Sequence, residues 1–184
     1  MKNIFLGQYK IENAIAKEDT IEIEGFACHF GRPNLNREIV DEKSFNTFFK
    51  MMEEGQLKPK LNWNHSDQLI GGIRDIISVD EGLYMTAYLN NKIALVRDMI
   101  APSVLAGELD SFSTEGFLLN GYDGIEENED GSYYVKDFLL TAVSVVATPA
   151  DPNATFTLKN FIDEYQAQKI QQNETIIKSK WYLL

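Results

Sequence analysis

The chain has 184 residues, of which 44% are hydrophobic and 24% charged, a composition that predicts one compact domain rather than a disordered chain. Its formal net charge of -11 excludes nucleic acid as the main partner, because phosphate binding needs a basic surface. The single cysteine, Cys28, excludes a disulfide framework and predicts a reducing compartment, and no apolar run is long enough to span a bilayer.

The first half of the chain predicts a strand, a helix and a hairpin. Residues 19–30 alternate isoleucine with glutamate before Gly25, which is typical of a half-buried strand with a bulge or a close backbone approach. The elements expected after this strand are a loop at 31–38, a helix at 40–56, a short strand at 60–66 and a hairpin at 69–90.

The second half predicts a kinked helix, further strands and a C-terminal helix. Residues 91–109 read as a helix that is kinked or broken near Pro102, because proline lacks an amide hydrogen. The later elements are a strand at 111–120, an acidic surface loop at 121–132, one or two strands at 133–149, and a helix at 151–172. Asp151 is its expected N-cap and Pro152 its first helical residue.

Short strands separated by turn signals predict an α+β fold that is mostly β. We expect an antiparallel sheet or small barrel with surrounding helices and a C-terminal helix. The barrel-like domain is assigned to 1–155, and the C-terminal helix and tail to 156–184. No glycine-rich phosphate loop follows a strand, and no cofactor is predicted.

A metal site is not predicted either. Cys28 and His29 are adjacent, so on a strand they point to opposite faces, which is poor geometry for chelation. His65 and Asp67 could join one of them, but the chain has no paired spacing such as CxxC or HExxH.

His65 is the first candidate catalytic residue. Alternation over residues 60–66 places it with Leu61 and Trp63 on one apolar face, near the end of the strand. A histidine there can serve as a general base, because imidazole exchanges protons near neutral pH. The alternative is a histidine at the edge of the core with a backbone partner.

Residues 109–117, LDSFSTEGF, carry three hydroxyls and a carboxylate in an apolar neighbourhood. Alternation places Ser111, Ser113 and Glu115 on one face and Thr114 on the other. A serine nucleophile needs a base within hydrogen-bond reach, and two serines roughly 7 Å apart along a strand cannot both meet one imidazole. Ser113 is the preferred nucleophile, and the alternative is a polar strand that faces solvent. Gly116 would allow a close backbone approach.

Five segments follow one another along the chain: IEGFACHFGRPNLNREIVDEKSF, PKLNWNHSDQLIGGIRDI, GLYMTAYL, SFSTEGF and LLTAVSVVATPADPNA. Their order and spacing resemble the prohead serine proteases of tailed phages, and the resemblance covers about residues 19–155. It implies a fold similar to the herpesvirus assemblins, a β-barrel surrounded by helices. It also implies a serine endopeptidase of capsid maturation with a histidine base.

Members of that family cut the scaffolding protein or the scaffolding segment of the major capsid protein, and themselves. The resemblance therefore implies those substrates, and a location in the host cytoplasm inside the prohead. Neither a nucleic acid nor a membrane is expected as a partner, and self-association remains open.

The resemblance places His65 on the family's histidine and Ser113 on its serine. Strict alignment of the closing Gly-Phe pair would instead put Thr114 at the nucleophile position, and Ser111 also remains open. The family's glutamate before Val-Ser is Ala142 here. The third member of the site is then Glu115, Ser144 or Asp67, or the enzyme works as a dyad. Ala142 also fits a catalytically inactive relative that serves as a scaffold or capsid-associated structural protein.

Overall fold

Alternation of isoleucine and glutamate builds the first strand of the computed structural model, which describes residues 19–159. This strand, β1 (Thr20–His29), buries Ile21 and Ile23 and leaves the glutamates between and after them partly exposed. The strands that join it in an antiparallel sheet are β4 (Gly71–Val79), β5 (Gly82–Asn90) and β10 (Phe156–Leu158), in the order β10-β1-β5-β4. The predicted hairpin is confirmed as β4 and β5.

Gly25 of β1 lies directly against the chain segment that leads into β10. A Cβ atom at this position would lie 2.1 Å from the carbonyl oxygen of Thr155, so only glycine fits there. The predicted close approach is therefore confirmed, and a register shift follows between Phe26 and Cys28.

A second sheet carries the candidate catalytic residues. Its strands are β3 (Lys60–Trp63), β6 (Ser111–Leu118) and β9 (Phe138–Val146), with β9 in the centre, parallel to β3 and antiparallel to β6. One face packs into the hydrophobic core through Leu61, Phe112 and Val145. Register pairs Asn62 with Ser144 and Ser144 with Ser113, so the opposite face is a row of polar residues.

A third, small sheet and short helices complete the described chain. The sheet contains β2 (Glu38–Ile39), β7 (Ile125–Glu127) and β8 (Tyr133–Val135). A 3₁₀ turn (Glu42–Phe45) leads into α1 (Asn46–Glu53), a π-helical turn (Val96–Ile100) leads into α2 (Ala101–Leu105), and a second 3₁₀ turn covers Gly121–Gly124. None of the helices within residues 19–159 is long and apolar enough to cross a membrane.

The mostly-β α+β class is confirmed, but residues 19–159 contain no closed barrel, because the strands form three separate sheets. The prediction that a helix begins at residue 151 is wrong. Residues 151–155 form a turn, and Phe156–Leu158 is a strand that pairs with β1 while Phe156 packs 4.6 Å from Phe112. This tertiary pairing prevails over the helix-start signal of Asp151 and Pro152. The remainder of the predicted C-terminal helix and tail lies outside the described residues.

Candidate active site

His65 lies in a tight turn at the end of β3. Asn64 has a φ of 48° and His65 a φ of 55°, and the Ser66 amide donates to the Trp63 carbonyl oxygen over 3.1 Å. Two successive left-handed central residues indicate a type I′ turn, which usually contains Asn and Gly. A histidine at the second position is uncommon and needs surrounding contacts to hold it.

The turn brings His65 to the polar face of the sheet. Its backbone amide donates to Ser144 Oγ over 2.9 Å, and its ring Nδ1 lies 3.3 Å from Glu115 Oε1. The prediction that His65 shares the face of Leu61 and Trp63 is therefore wrong. The strand ends at Trp63, and the positive φ angles turn the chain so that strand alternation no longer applies.

Ser144 connects three strands of this sheet. Its hydroxyl is hydrogen-bonded to Glu115 Oε1 on β6 and to the side-chain amide of Asn62 on β3. Ser144 is fully buried and Asn62 is nearly so. Buried polar groups in such a network fix one another's positions. Asn62, which the sequence analysis did not single out as a site residue, therefore belongs to the same cluster.

Ser113 sits next to this cluster. It is the register partner of Ser144, and the residue is only 4% exposed. Within residues 19–159 its hydroxyl makes no hydrogen bond, either to His65 or to another residue. The candidate nucleophile thus shares a face with Glu115 and lies beside the residue that binds the His65 backbone.

The other predicted candidates have different surroundings. Ser111 donates its hydroxyl to Asp110 Oδ1 over 2.7 Å. Thr114 is the register partner of Val143, on the face that packs into the core. Asp67 is exposed and forms no ion pair with His65 in the described part of the chain. The structure therefore brings together His65, Glu115 and Ser144, and leaves Asp67 apart.

A cavity of about 50 Å³ lies beside β6 and is lined by Ser113 and Thr114. Its lining also includes the ionisable residues His29, Arg32 and Asp151. Apolar side chains, among them Phe45 and Phe138, line it as well. The candidate nucleophile therefore borders a pocket of mixed chemistry.

A second histidine–carboxylate pair, which the sequence analysis missed, joins β1 to the loop after β9. Asp151 Oδ2 lies 2.8 Å from His29 Nδ1 and accepts the His29 backbone amide over 2.9 Å, while Asn153 donates its amide to Oδ1 over 3.0 Å. Burial alone would raise the pKa of Asp151, but these donors and the charge of His29 outweigh it and lower that pKa. The Asp-Pro-Asn turn signal could have revealed this residue.

Cys28 is not a candidate nucleophile. Burial raises the pKa of its thiol to about 12, against a weaker lowering by the hydrogen bond of the Leu83 backbone. The thiolate is the reactive form of cysteine, and it is essentially absent at neutral pH when the thiol is this weak an acid.

Comparison with known proteins finds one matching family and several proteases of similar structure. Residues 8–168 match a family model described as caudovirus prohead serine protease. The bacteriophage T4 capsid assembly protease is 20% identical with a TM-score of 0.55, over 70% of this chain and 82% of that one. The KSHV protease, solved with a hexapeptide phosphonate inhibitor, is 12% identical with a TM-score of 0.51, over 75% of this chain and 64% of that one.

These structural likenesses show an assemblin-like fold. The chain spans less than two thirds of the length of the KSHV protease. No curated protein matches the sequence.

Proposed function

This chain belongs to the caudovirus prohead serine protease family, and on that premise we propose that it is a serine endopeptidase of phage capsid maturation. The observation that carries the proposal is the family match, which covers residues 8–168. The proposed substrates are the scaffolding protein or the scaffolding segment of the major capsid protein, together with the chain itself. The proposed place of action is the interior of the prohead, in the host cytoplasm.

In the proposed mechanism, His65 is the general base and Ser113 the nucleophile. His65 accepts the proton of the Ser113 hydroxyl as its oxygen attacks the scissile carbonyl carbon, and later gives that proton to the leaving amine. Water then hydrolyses the acyl-enzyme by the same route. Two observations support these roles: His65 is 45% exposed, so substrate can reach it, and Ser113 lies on the same face of the sheet.

Ser113 is preferred over its two neighbours for reasons of contact and face. The Ser111 hydroxyl already donates to Asp110, whereas Ser113 makes no such bond within residues 19–159. Thr114 is paired with a core residue on the opposite face from Glu115. A nucleophile needs a hydroxyl that is available to the base, and Ser113 meets this requirement best.

The alternative of a catalytically inactive structural relative is less well supported. That alternative was considered because position 142 holds alanine instead of an acid. A carboxylate is nevertheless present near the ring, because Glu115 Oε1 lies 3.3 Å from His65 Nδ1. In addition, the family model that matches this chain describes serine proteases, which favours an active enzyme.

A fluorophosphonate probe tests the proposed function, because it labels only activated serines. We expect labelling of the folded chain at Ser113, none in Ser113→Ala or His65→Ala, and retained labelling in the matched control Ser111→Ala. The same variants are then incubated with the capsid and scaffolding proteins of the phage, and cleavage is followed by mass spectrometry. Wild-type cleavage by Ser113→Ala would remove Ser113 from the mechanism, and cleavage by neither wild type nor any variant would favour the inactive relative.

A further inference from the structure

The polar face of the second sheet holds a carboxylate that reaches the His65 ring from the strand of the candidate nucleophile. We propose that Glu115 is the positioning residue that orients His65 and stabilises its protonated ring, and that Ser144 and Asn62 hold Glu115 in place. This inference rests on the proposed function and names the third member of its site.

The contact between the two side chains identifies the ring nitrogen involved. Glu115 Oε1 lies 3.3 Å from His65 Nδ1, with side-chain exposures of 26% and 45% respectively. A carboxylate accepts but does not donate, so a neutral ring that donates to Glu115 carries its proton on Nδ1. Nε2 is then the basic nitrogen that can take the proton of a serine. The contact is an ion-pair approach and not a hydrogen bond in this structure, and catalytic contacts of this kind often tighten only when substrate binds.

Ser144 supplies the support for Glu115. Its oxygen accepts the His65 backbone amide and contacts both Glu115 Oε1 and the Asn62 amide oxygen, but its single proton can go to only one of these acceptors. If the Asn62 amide is turned by 180°, its nitrogen donates to Ser144 Oγ and the Ser144 proton goes to Glu115. The Ser144 hydroxyl then accepts from the His65 amide and the Asn62 amide and donates to Glu115, so all three of its contacts are hydrogen bonds.

The other two candidates for a third member cannot fill this role. Ser144 meets the backbone amide of His65 rather than its ring, and a hydroxyl carries no charge with which to stabilise an imidazolium. Asp67 is exposed and forms no ion pair with His65 among the described residues. Glu115 alone combines a negative charge with a ring contact.

The residue opposite Glu115 gives a second position from which a carboxylate could approach the His65 ring. Glu115 is the register partner of Ala142, whose side chain is 8% exposed. Paired side chains in an antiparallel ladder have Cβ atoms about 5 Å apart. A glutamate at position 142 would therefore start about 5 Å from the Cβ of Glu115 and on the same face of the sheet.

Steady-state kinetics on a peptide that spans a mapped cleavage site provide the first test. We expect Glu115→Gln to lower kcat by on the order of 10² to 10⁴ with little change in KM, because a neutral amide cannot stabilise the imidazolium. Glu115→Asp should keep part of the activity. The matched control is Glu22→Gln, which removes a carboxylate of similar exposure that pairs with Arg74 at 3.0 Å on the other sheet, and it should leave kcat unchanged.

Relocation of the carboxylate provides the second test. The double variant Glu115→Ala/Ala142→Glu should be at least about tenfold faster than Glu115→Ala, as expected for residues that couple across a ladder. A purely structural role for Glu115 does not predict this rescue. A double variant no faster than the single one, with both folded by circular dichroism, would count against the inference.

The native protein gives a third readout that does not depend on the folding of any variant. The chain has two histidines, so the ring ¹⁵N resonances of His65 can be assigned with His65→Asn as reference. We expect the neutral His65 ring to carry its proton on Nδ1. A ring with the proton on Nε2, or a wild-type kcat in Glu115→Gln, overturns the inference about Glu115. Wild-type cleavage by His65→Asn overturns the proposed function instead.

Discussion

Glu115 on β6 and Ala142 on β9 are register partners in an antiparallel ladder. The carboxylate of Glu115 lies 3.3 Å from the His65 ring, while Ala142 makes no polar side-chain contact because it has no polar atom. Under the proposed function, the carboxylate beside the ring comes from β6, and the position that faces it on β9 is alanine. An acid missing from its expected position in the sequence is weak grounds for assigning an inactive protein.

His65→Asn should lower peptidase activity by about 10⁴-fold or more while leaving the fold intact. Asparagine tolerates the left-handed conformation that His65 adopts, and the backbone bond to Ser144 Oγ at 2.9 Å is retained. Activity is measured by peptide cleavage and folding by thermal denaturation. Near-normal cleavage by this variant would exclude His65 as the base and direct attention to His29.

Asp151→Asn should destabilise the fold at neutral pH by about 1–3 kcal/mol, the usual effect of losing hydrogen bonds to a charged group. The pKa of Asp151 is lowered in the folded chain, so its ionised form is stabilised by folding. This contribution is complete above the unfolded value of about 3.9 and is lost as the pH falls through the folded value.

The difference in melting temperature between wild type and Asp151→Asn should therefore be large at pH 7 and shrink below about pH 4. Asp67→Asn, at an exposed position, is the matched control and should change the melting temperature little. A difference between wild type and Asp151→Asn that stays constant down to pH 2 would contradict the linkage.

Cys28 should resist alkylation in the folded protein. Burial raises the pKa of this thiol to about 12, so the reactive thiolate is scarce at pH 8, and the side chain is 7% exposed. Iodoacetamide labelling followed by mass spectrometry should give no adduct in buffer and one adduct in guanidinium chloride. Rapid labelling in buffer would show that the end of β1 opens readily.

Gly116→Ala should destabilise the protein by about 3 kcal/mol, because its Cβ would enter the backbone of the neighbouring strand. That atom would lie 2.1 Å from the Leu139 carbonyl oxygen, at the register shift between β6 and β9. Gly31→Ala is the matched control: its φ is 73° but no atom lies within 4 Å of the added carbon. The control should cost only about 1 kcal/mol in urea unfolding. Equal effects would mean that the ladder at Gly116 can shift.

Hydrophobic alternation predicted which residues of β6 share a face, but it did not predict the turn that contains His65. Ser113 and Glu115 share a face as predicted, since β6 is regular between Ser111 and Glu115. The side on which His65 lies depends on the sign of φ at two residues, which hydrophobic alternation does not encode.

The pairing of strands that are distant in the sequence could not be predicted either. Asn62 lies on the polar face of its strand, and its contact with Ser144 requires the parallel alignment of β3 with β9. Likewise, Asp151 and Pro152 carry a valid helix-start signal, and only the pairing of Phe156–Leu158 with β1 shows why it is not used.

The parallel alignment of β3 with β9 also determines when the protein can first act. Asn62 and Ser144 are 82 positions apart, and a ribosome releases the chain from its N-terminus. His65 and Ser113 therefore emerge before the strand that holds both of them in place. Under the proposed function, a nascent chain that ends before Val146 carries both reactive groups without the strand that frames them. We therefore expect no cut before β9 has been synthesised and has paired with β3 and β6.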